Sequence, residues 1–189
     1  MVSILKTDKI QASHGSTIEI PSGHVLNAPG HVIQTVQAVK TDTTASSSQS
    51  FVDISGLSVS ITPASAASKF LITCNFCWGA QNNSSPKFKL VGGNSGNFIG
   101  DAAGNRVRVA YFAADDYFNG ATNAGHETAF MGAISYLDSP NTTSAITYKL
   151  QGETDGNGAF YINRTHADVD DASEGGRSAS SITVQEIAQ

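Results

Sequence analysis

The chain carries five histidines, His14, His24, His31, His126 and His166, the side chains best suited to proton transfer near neutral pH or to metal ligation. None stands in a His-x-His or HExxH spacing, so the sequence alone brings no two of them to a shared metal. Cys74 and Cys77 form a CxxC pair, but it lies inside an alternating apolar run, where residues three apart point to opposite sheet faces. A redox pair needs a helix N-terminus to stabilise its thiolate, and zinc needs a second ligand pair. Both cysteines read as small core or interface residues. Asp115 and Asp116 are adjacent, and extended backbone would splay them rather than oppose them across a glycosidic bond. Asp168, Asp170, Asp171 and Glu174 supply hard oxygen donors of the kind calcium takes, without the spacing of the twelve-residue calcium loop. A solvated acidic loop is the default reading of such a run. There is no Gly-x-Ser-x-Gly elbow and no Walker loop, and Gly92-Gly93-Asn94-Ser95-Gly96 follows a strand without preceding a helix. These spacings lead us to expect no enzyme and no cofactor.

Recognition chemistry is the better prospect. Residues 113–127 form a long loop in which Asp115, Asp116, Tyr117, Phe118, Asn119 and His126 fall among small residues, with no core period to bury the aromatic pair. Exposed amphipathic rings on a loop carry much of the energy at recognition sites. The same two rings would also suit packing onto the body or into a subunit contact.

The elements that must hold this loop are strands. Leu57, Val59 and Ile61 alternate with Ser58, Ser60 and Thr62, and Phe70, Ile72, Cys74, Phe76 and Trp78 repeat the pattern. Further strand candidates are residues 31–40, 51–54, 87–91, 106–112, 128–137, 145–151, 159–163 and 180–187. No window shows helical periodicity. Asp155-Gly156-Asn157-Gly158 supplies the positive φ of a tight turn and predicts a hairpin between 145–151 and 159–163. About ten strands at spacings near 8–12 residues predict an all-β antiparallel, jelly-roll-like sandwich. Its first and last strands should pair in one sheet. Only 14% of residues are charged, below the roughly 25% usual for soluble domains. Ser, Thr, Asn and 18 Gly take their place, a composition that suits short strands and closely packed assemblies.

Residues 1–30 stand apart as a candidate arm, with 31–189 as the body. Two short alternating runs, carrying Ile4, Leu5 and Ile10 and then Ile18 and Ile20, bury no face by themselves. They must dock on the body, on copies of the chain or on another protein. The formal net charge of −5 without a basic stripe argues against nucleic acid. No apolar run reaches the roughly 18 residues of a membrane span, and the N-terminus lacks the pattern of a secretory signal.

Several strings resemble virion structural proteins of tailed bacteriophages, particularly fibre-type proteins of marine and cyanobacterial phages. They are residues 4–11, residues 18–34 (Ile-Glu-Ile-Pro-Ser-Gly-His-Val-Leu-Asn-Ala-Pro-Gly-His-Val-Ile-Gln), residues 56–63, Tyr136-Leu137-Asp138-Ser139-Pro140 and residues 181–188. The resemblance implies a homotrimer whose N-terminal β segment attaches to another virion protein. It implies a body like the trimeric jelly rolls of the tumour necrosis factor and complement type. It further implies a place in the virion and a host-surface glycan or protein as the partner of the loops. The chain departs from long fibres in having one arm-sized segment and no shaft repeats. A capsid or tail decoration protein, and a glycan-degrading spike enzyme, are the alternative readings. The strand from Phe70 to Trp78 fits a trimer, because Leu71 and Cys77 make its second face partly apolar too.

Overall fold

The computed structural model describes residues 28–81, 84–94, 98–113, 129–173 and 175–189. Ten strands form among them: β1 (Val32–Lys40), β2 (Thr44–Ser46), β3 (Val52–Ile61), β4 (Lys69–Ala80), β5 (Lys87–Val91), β6 (Tyr111–Phe112), β7 (Phe130–Asp138), β8 (Ile146–Glu153), β9 (Phe160–Ile162) and β10 (Ser180–Ile187). Their pairings are antiparallel, and the described residues contain no helix. β3, β8, β5 and β6 form one sheet in that order. The other sheet has six strands centred on β4. One edge of β4 pairs with β7 along Phe70 to Trp78; the other takes β10 along Lys69 to Asn75 and then β9 along Trp78 to Ala80. β1 flanks β10, and β2 flanks β9. The expected sandwich is therefore present, and its first and last strands do pair, with Val36 opposite Val184.

Alternation explains the core. Phe70, Ile72, Cys74, Phe76, Trp78, Ile134, Ile182 and Val184 face inward from the larger sheet. Leu57, Val59, Ile61, Phe88, Leu90, Tyr148 and Leu150 meet them from the smaller one. Two glycines make room for rings. A Cβ on Gly132 would sit 2.4 Å from the Phe76 ring, and one on Gly152 would sit 2.7 Å from the Phe160 ring. Lys40 is also buried; its stem packs on Gly56 while its ammonium reaches exposed Asp42 at 2.9 Å.

Four strand expectations need correction. The turn at 155–158 is not a hairpin, because β8 has β3 on one edge and β5 on the other. With both edges occupied, the chain crosses to the larger sheet, where β9 pairs with β4 and β2. The run 106–112 is a strand only at Tyr111–Phe112. Before it the chain bonds to itself, Gly100 N donating to Val109 O and Arg106 N to Ala103 O. The Thr/Ser stretch 41–50, which lies outside the strand candidates of the sequence, contains β2. The two runs at 51–54 and 57–62 are one strand, bulged between Asp53 and Ser58 around Gly56 at φ +83°.

Candidate functional site

The expected recognition residues Asp115, Asp116, Tyr117, Phe118, Asn119 and His126 lie outside the described residues, as do the arm residues Ile4, Leu5, Ile10, Ile18 and Ile20. What is described is the chain on either side of residues 114–128. It leaves β6 at Ala113 and returns at Ala129, just before β7. Ala113 N donates to Pro86 O at 3.1 Å, fixing the exit. Trp78 joins the two sides: its Nε1 donates to Tyr111 Oη at 3.2 Å, and its ring stacks on Phe130 at 4.8 Å. Phe76 and Phe88, 4.8 Å apart, back this cluster, and Phe160 meets Phe88 edge-on at 5.4 Å. Both ends of the segment are thus anchored on aromatic packing from β4.

Beyond the other end of β9, the acidic run is braced by arginines. The Asp168 carboxylate receives Arg177 Nη2 at 2.6 Å and lies 3.7 Å from Arg164. Arg164 itself sits over the Tyr161 ring at 4.1 Å, and His166 stacks on the same ring. Asp171 Oδ1 accepts from both the amide and the hydroxyl of Ser173. Asp168, Asp170 and Asp171 line one open hollow with Arg177, and Glu174 lies outside the described residues. Among the described residues, no three His, Cys, Asp or Glu side chains converge as a metal site.

The cysteines behave as their spacing predicts. Cys74 is in the core, where burial pushes its thiol up to about 12. Cys77 is buried on the opposite face, lining a small hollow beneath Thr165, Ser173 and Ser178. Its amide donates to Ser180 Oγ at 3.0 Å, and its carbonyl accepts from Asn163 N at 3.0 Å. Asn163, in the left-handed region at φ +64°, donates from Nδ2 to Lys40 O and Asp42 O and accepts from Ser180 at Oδ1. This buried amide ties the bend after β1 to β4, β9 and β10, and no periodicity in the sequence marks it.

The two outer faces of the sandwich differ sharply in charge. The outer face of the smaller sheet carries Asp53, Lys87, Lys89 and Lys149, with Lys149 and Asp53 paired at 2.5 Å. On the larger sheet the cross-strand rows read Val39–Ser181–Asn75–Ala133, Gln37–Thr183–Thr73–Ser135 and Thr35–Gln185–Leu71–Leu137. Cys77–Met131 and Val32–Ile187–Lys69 extend them, so Lys69 is the single charge in these rows. Met131 is 64% exposed, Val39 57%, Leu137 50% and Val32 47%.

No family model matches this chain, and no curated protein matches it. Among solved structures, it is similar to a chain of infectious bursal disease virus, Gx strain, at 14% identity and a TM-score of 0.35. That alignment covers 90% of this chain and 46% of the viral one, so this chain spans less than half of its length. No helix among the described residues is long and apolar enough to cross a membrane.

Proposed function

We propose that the chain is a non-enzymatic virion structural protein, a short trimeric tail fibre or fibre tip. In this reading residues 1–30 attach it to another virion protein, and the loop at 113–127 meets a glycan or protein of the host surface. The strand order supports a jelly-roll body, since early and late strands interleave in both sheets. The resemblance of residues 4–11 and 18–34 to phage fibre proteins supports the virion setting.

One observation carries the assembly: apart from the end near Cys77 and Gly79, which the 164–178 segment covers, the outer face of the larger sheet is nearly free of charge and dotted with exposed Val39, Met131 and Leu137. An antiparallel sheet with one side in water carries polar and charged residues there, as the smaller sheet does. An uncharged face with exposed apolar side chains suits contact with copies of itself, and closed symmetry would also cover sheet edges.

The test is sedimentation of the full chain at micromolar concentration. The expected mass is three times the 19.7 kDa of the chain. Leu137→Lys with Met131→Lys should give monomers with an unchanged β-sheet circular dichroism spectrum. A wild-type monomer, or a charged-face variant that still forms trimers, overturns the assembly. The recognition loop is tested separately: Tyr117→Ala with Phe118→Ala should abolish host adsorption while the trimer persists.

A further inference from the structure

We infer that the groove beside β5 and β6 binds an acidic saccharide, a sugar bearing a carboxylate. The groove has a volume of about 470 Å³, within the roughly 300–1,000 Å³ of small-molecule sites. Lys87, Arg106, Arg108, Val107, Phe112 and Asp101 line it. It lies over the outer face of the smaller sheet, away from the outer face of the larger one, and the inference does not depend on the assembly.

Three cations meet there in a protein whose net charge is −5. The cations at Lys40, Lys149, Arg164 and Arg177 are spent on carboxylates, whereas Lys87, Arg106 and Arg108 form no ion pair among the described residues. Their backbone contacts hold them in place instead. Arg106 Nη1 donates to Ala103 O at 3.1 Å, Arg108 Nε to Gly100 O at 2.6 Å, and Lys87 Nζ to Ser85 O at 3.2 Å. A guanidinium has five N–H donors, so one bond to a carbonyl fixes the fork and leaves the rest for a ligand. The segment that carries both arginines is closed by the Gly100–Val109 bond and turned at Gly104, φ +59°.

The remaining lining selects the anion. Lys87 and Phe112 are cross-strand partners, and the Phe112 ring is 58% exposed, with Val107 49% exposed. An exposed ring beside an aliphatic side chain offers apolar surface to the C–H face of a sugar. Asp101 is the one carboxylate in the groove; it accepts hydroxyl groups and repels a densely charged polyanion. A single carboxylate on a hydroxyl-rich ring satisfies all of these groups together.

The experiment is calorimetric titration of the full chain with uronic-acid and sialic-acid oligosaccharides, with neutral oligomers of matched length and with inorganic phosphate. Acidic sugars should bind, more weakly as salt rises, and neutral sugars and phosphate should not. Arg106→Gln and Arg108→Gln should each weaken binding by about tenfold to a hundredfold, the range for a hydrogen bond to a charged group. Arg108→Lys should recover part of that loss, and Phe112→Ser should weaken acidic-sugar binding while leaving its salt dependence unchanged. Each variant should melt as the wild type does. Absence of binding across the acidic panel at millimolar concentration overturns the inference. So does equal binding of acidic and neutral sugars, or arginine variants of unchanged affinity. Oligomeric state, measured on the same samples, keeps this result separate from the fate of the fibre reading.

Discussion

Replacing Tyr148 by Phe removes one buried oxygen, where the ends of β5 and β7 meet β8, and nothing else. Tyr148 and Asp138 are both fully buried, and the phenol donates to Asp138 Oδ2 at 2.6 Å. The same oxygen accepts from Asn94 N at 3.0 Å, and Oδ1 accepts from Ser139 N at 2.8 Å. Burial, then the bond to Asp138 and its charge, push the Tyr148 phenol well above the ordinary range, so it remains a donor throughout the stable pH range. The ring keeps its shape in the variant, so no cavity term arises. The loss is one hydrogen bond to a charged group in a dry site, about 1.5–3 kcal/mol. For a chain of this size each kcal/mol moves Tm by about 2–4 °C, which gives a fall of about 3–12 °C. Urea unfolding at fixed protein concentration should show a lower midpoint at an unchanged slope. Tyr136→Phe is the internal control: its hydroxyl reaches Asn94 O at only 3.4 Å in an exposed setting, so its effect should stay within about 0.5 kcal/mol. If Tyr148→Phe is as mild as Tyr136→Phe, water reaches Asp138 and the account of a dry, fully bonded carboxylate is wrong.

Three further outcomes test the packing and the electrostatics. Gly132→Ala should destabilise by about 1–3 kcal/mol, because its Cβ would lie 2.4 Å from the buried Phe76 ring; adding Phe76→Leu should restore part of the loss in urea unfolding. Burial alone would raise the Glu186 carboxyl, but hydrogen bonds including those from Gln34 and the Ala64 amide outweigh it and hold it below its ordinary value of 4.5. A lowered folded-state value stabilises above the unfolded value and is lost as pH falls, so the urea midpoint should drop as pH passes downward through 4.5, and Glu186→Gln should flatten that drop. Cys74 is fully buried with its thiol pushed up to about 12, so it should resist iodoacetamide in the folded protein at pH ~8 and react in urea; labelling without denaturant would contradict the packing.

The sheets were legible where burial is one-sided and periodic. β5 and β10 lie within the residues that alternation marks, and β4 overruns its predicted end by only Gly79 and Ala80. Periodicity reports which residues share a face, but not which strand occupies an edge. The Asp155–Gly158 turn therefore looked like a hairpin, although β3 and β5 had already filled both edges of β8. The same blindness covers buried polar hubs. Asn163 and Asp138 are fully buried, and each is bonded to chain distant in sequence. Arg106 and Arg108 left a trace, since their alternation with Val107 and Val109 marks one wet face. What alternation could not show was that this segment folds beside Lys87 and Phe112 rather than extending as a strand.

The strand that dominates the sequence also fixes both the face proposed for assembly and the mounting of the segment proposed for recognition. The inner side of β4 supplies Phe70, Ile72, Cys74 and Phe76 to the core, so its register is fixed by burial. That register sets its outer side at the same time, placing Leu71 opposite Leu137 and Cys77 opposite Met131 on the outer face. At its far end Trp78 touches both Tyr111 and Phe130, which flank residues 114–128 in sequence. A one-residue slip of β4 would bury Leu71 and Asn75 in place of Phe70 and Cys74, and would turn Trp78 away from the loop stem. Selection on the core alone thus holds both surfaces in place. Substitutions at residues 114–128, or among Arg106, Arg108 and Phe112, lie outside that register, so the surfaces proposed for recognition can change without cost to the sandwich or to the face proposed for assembly.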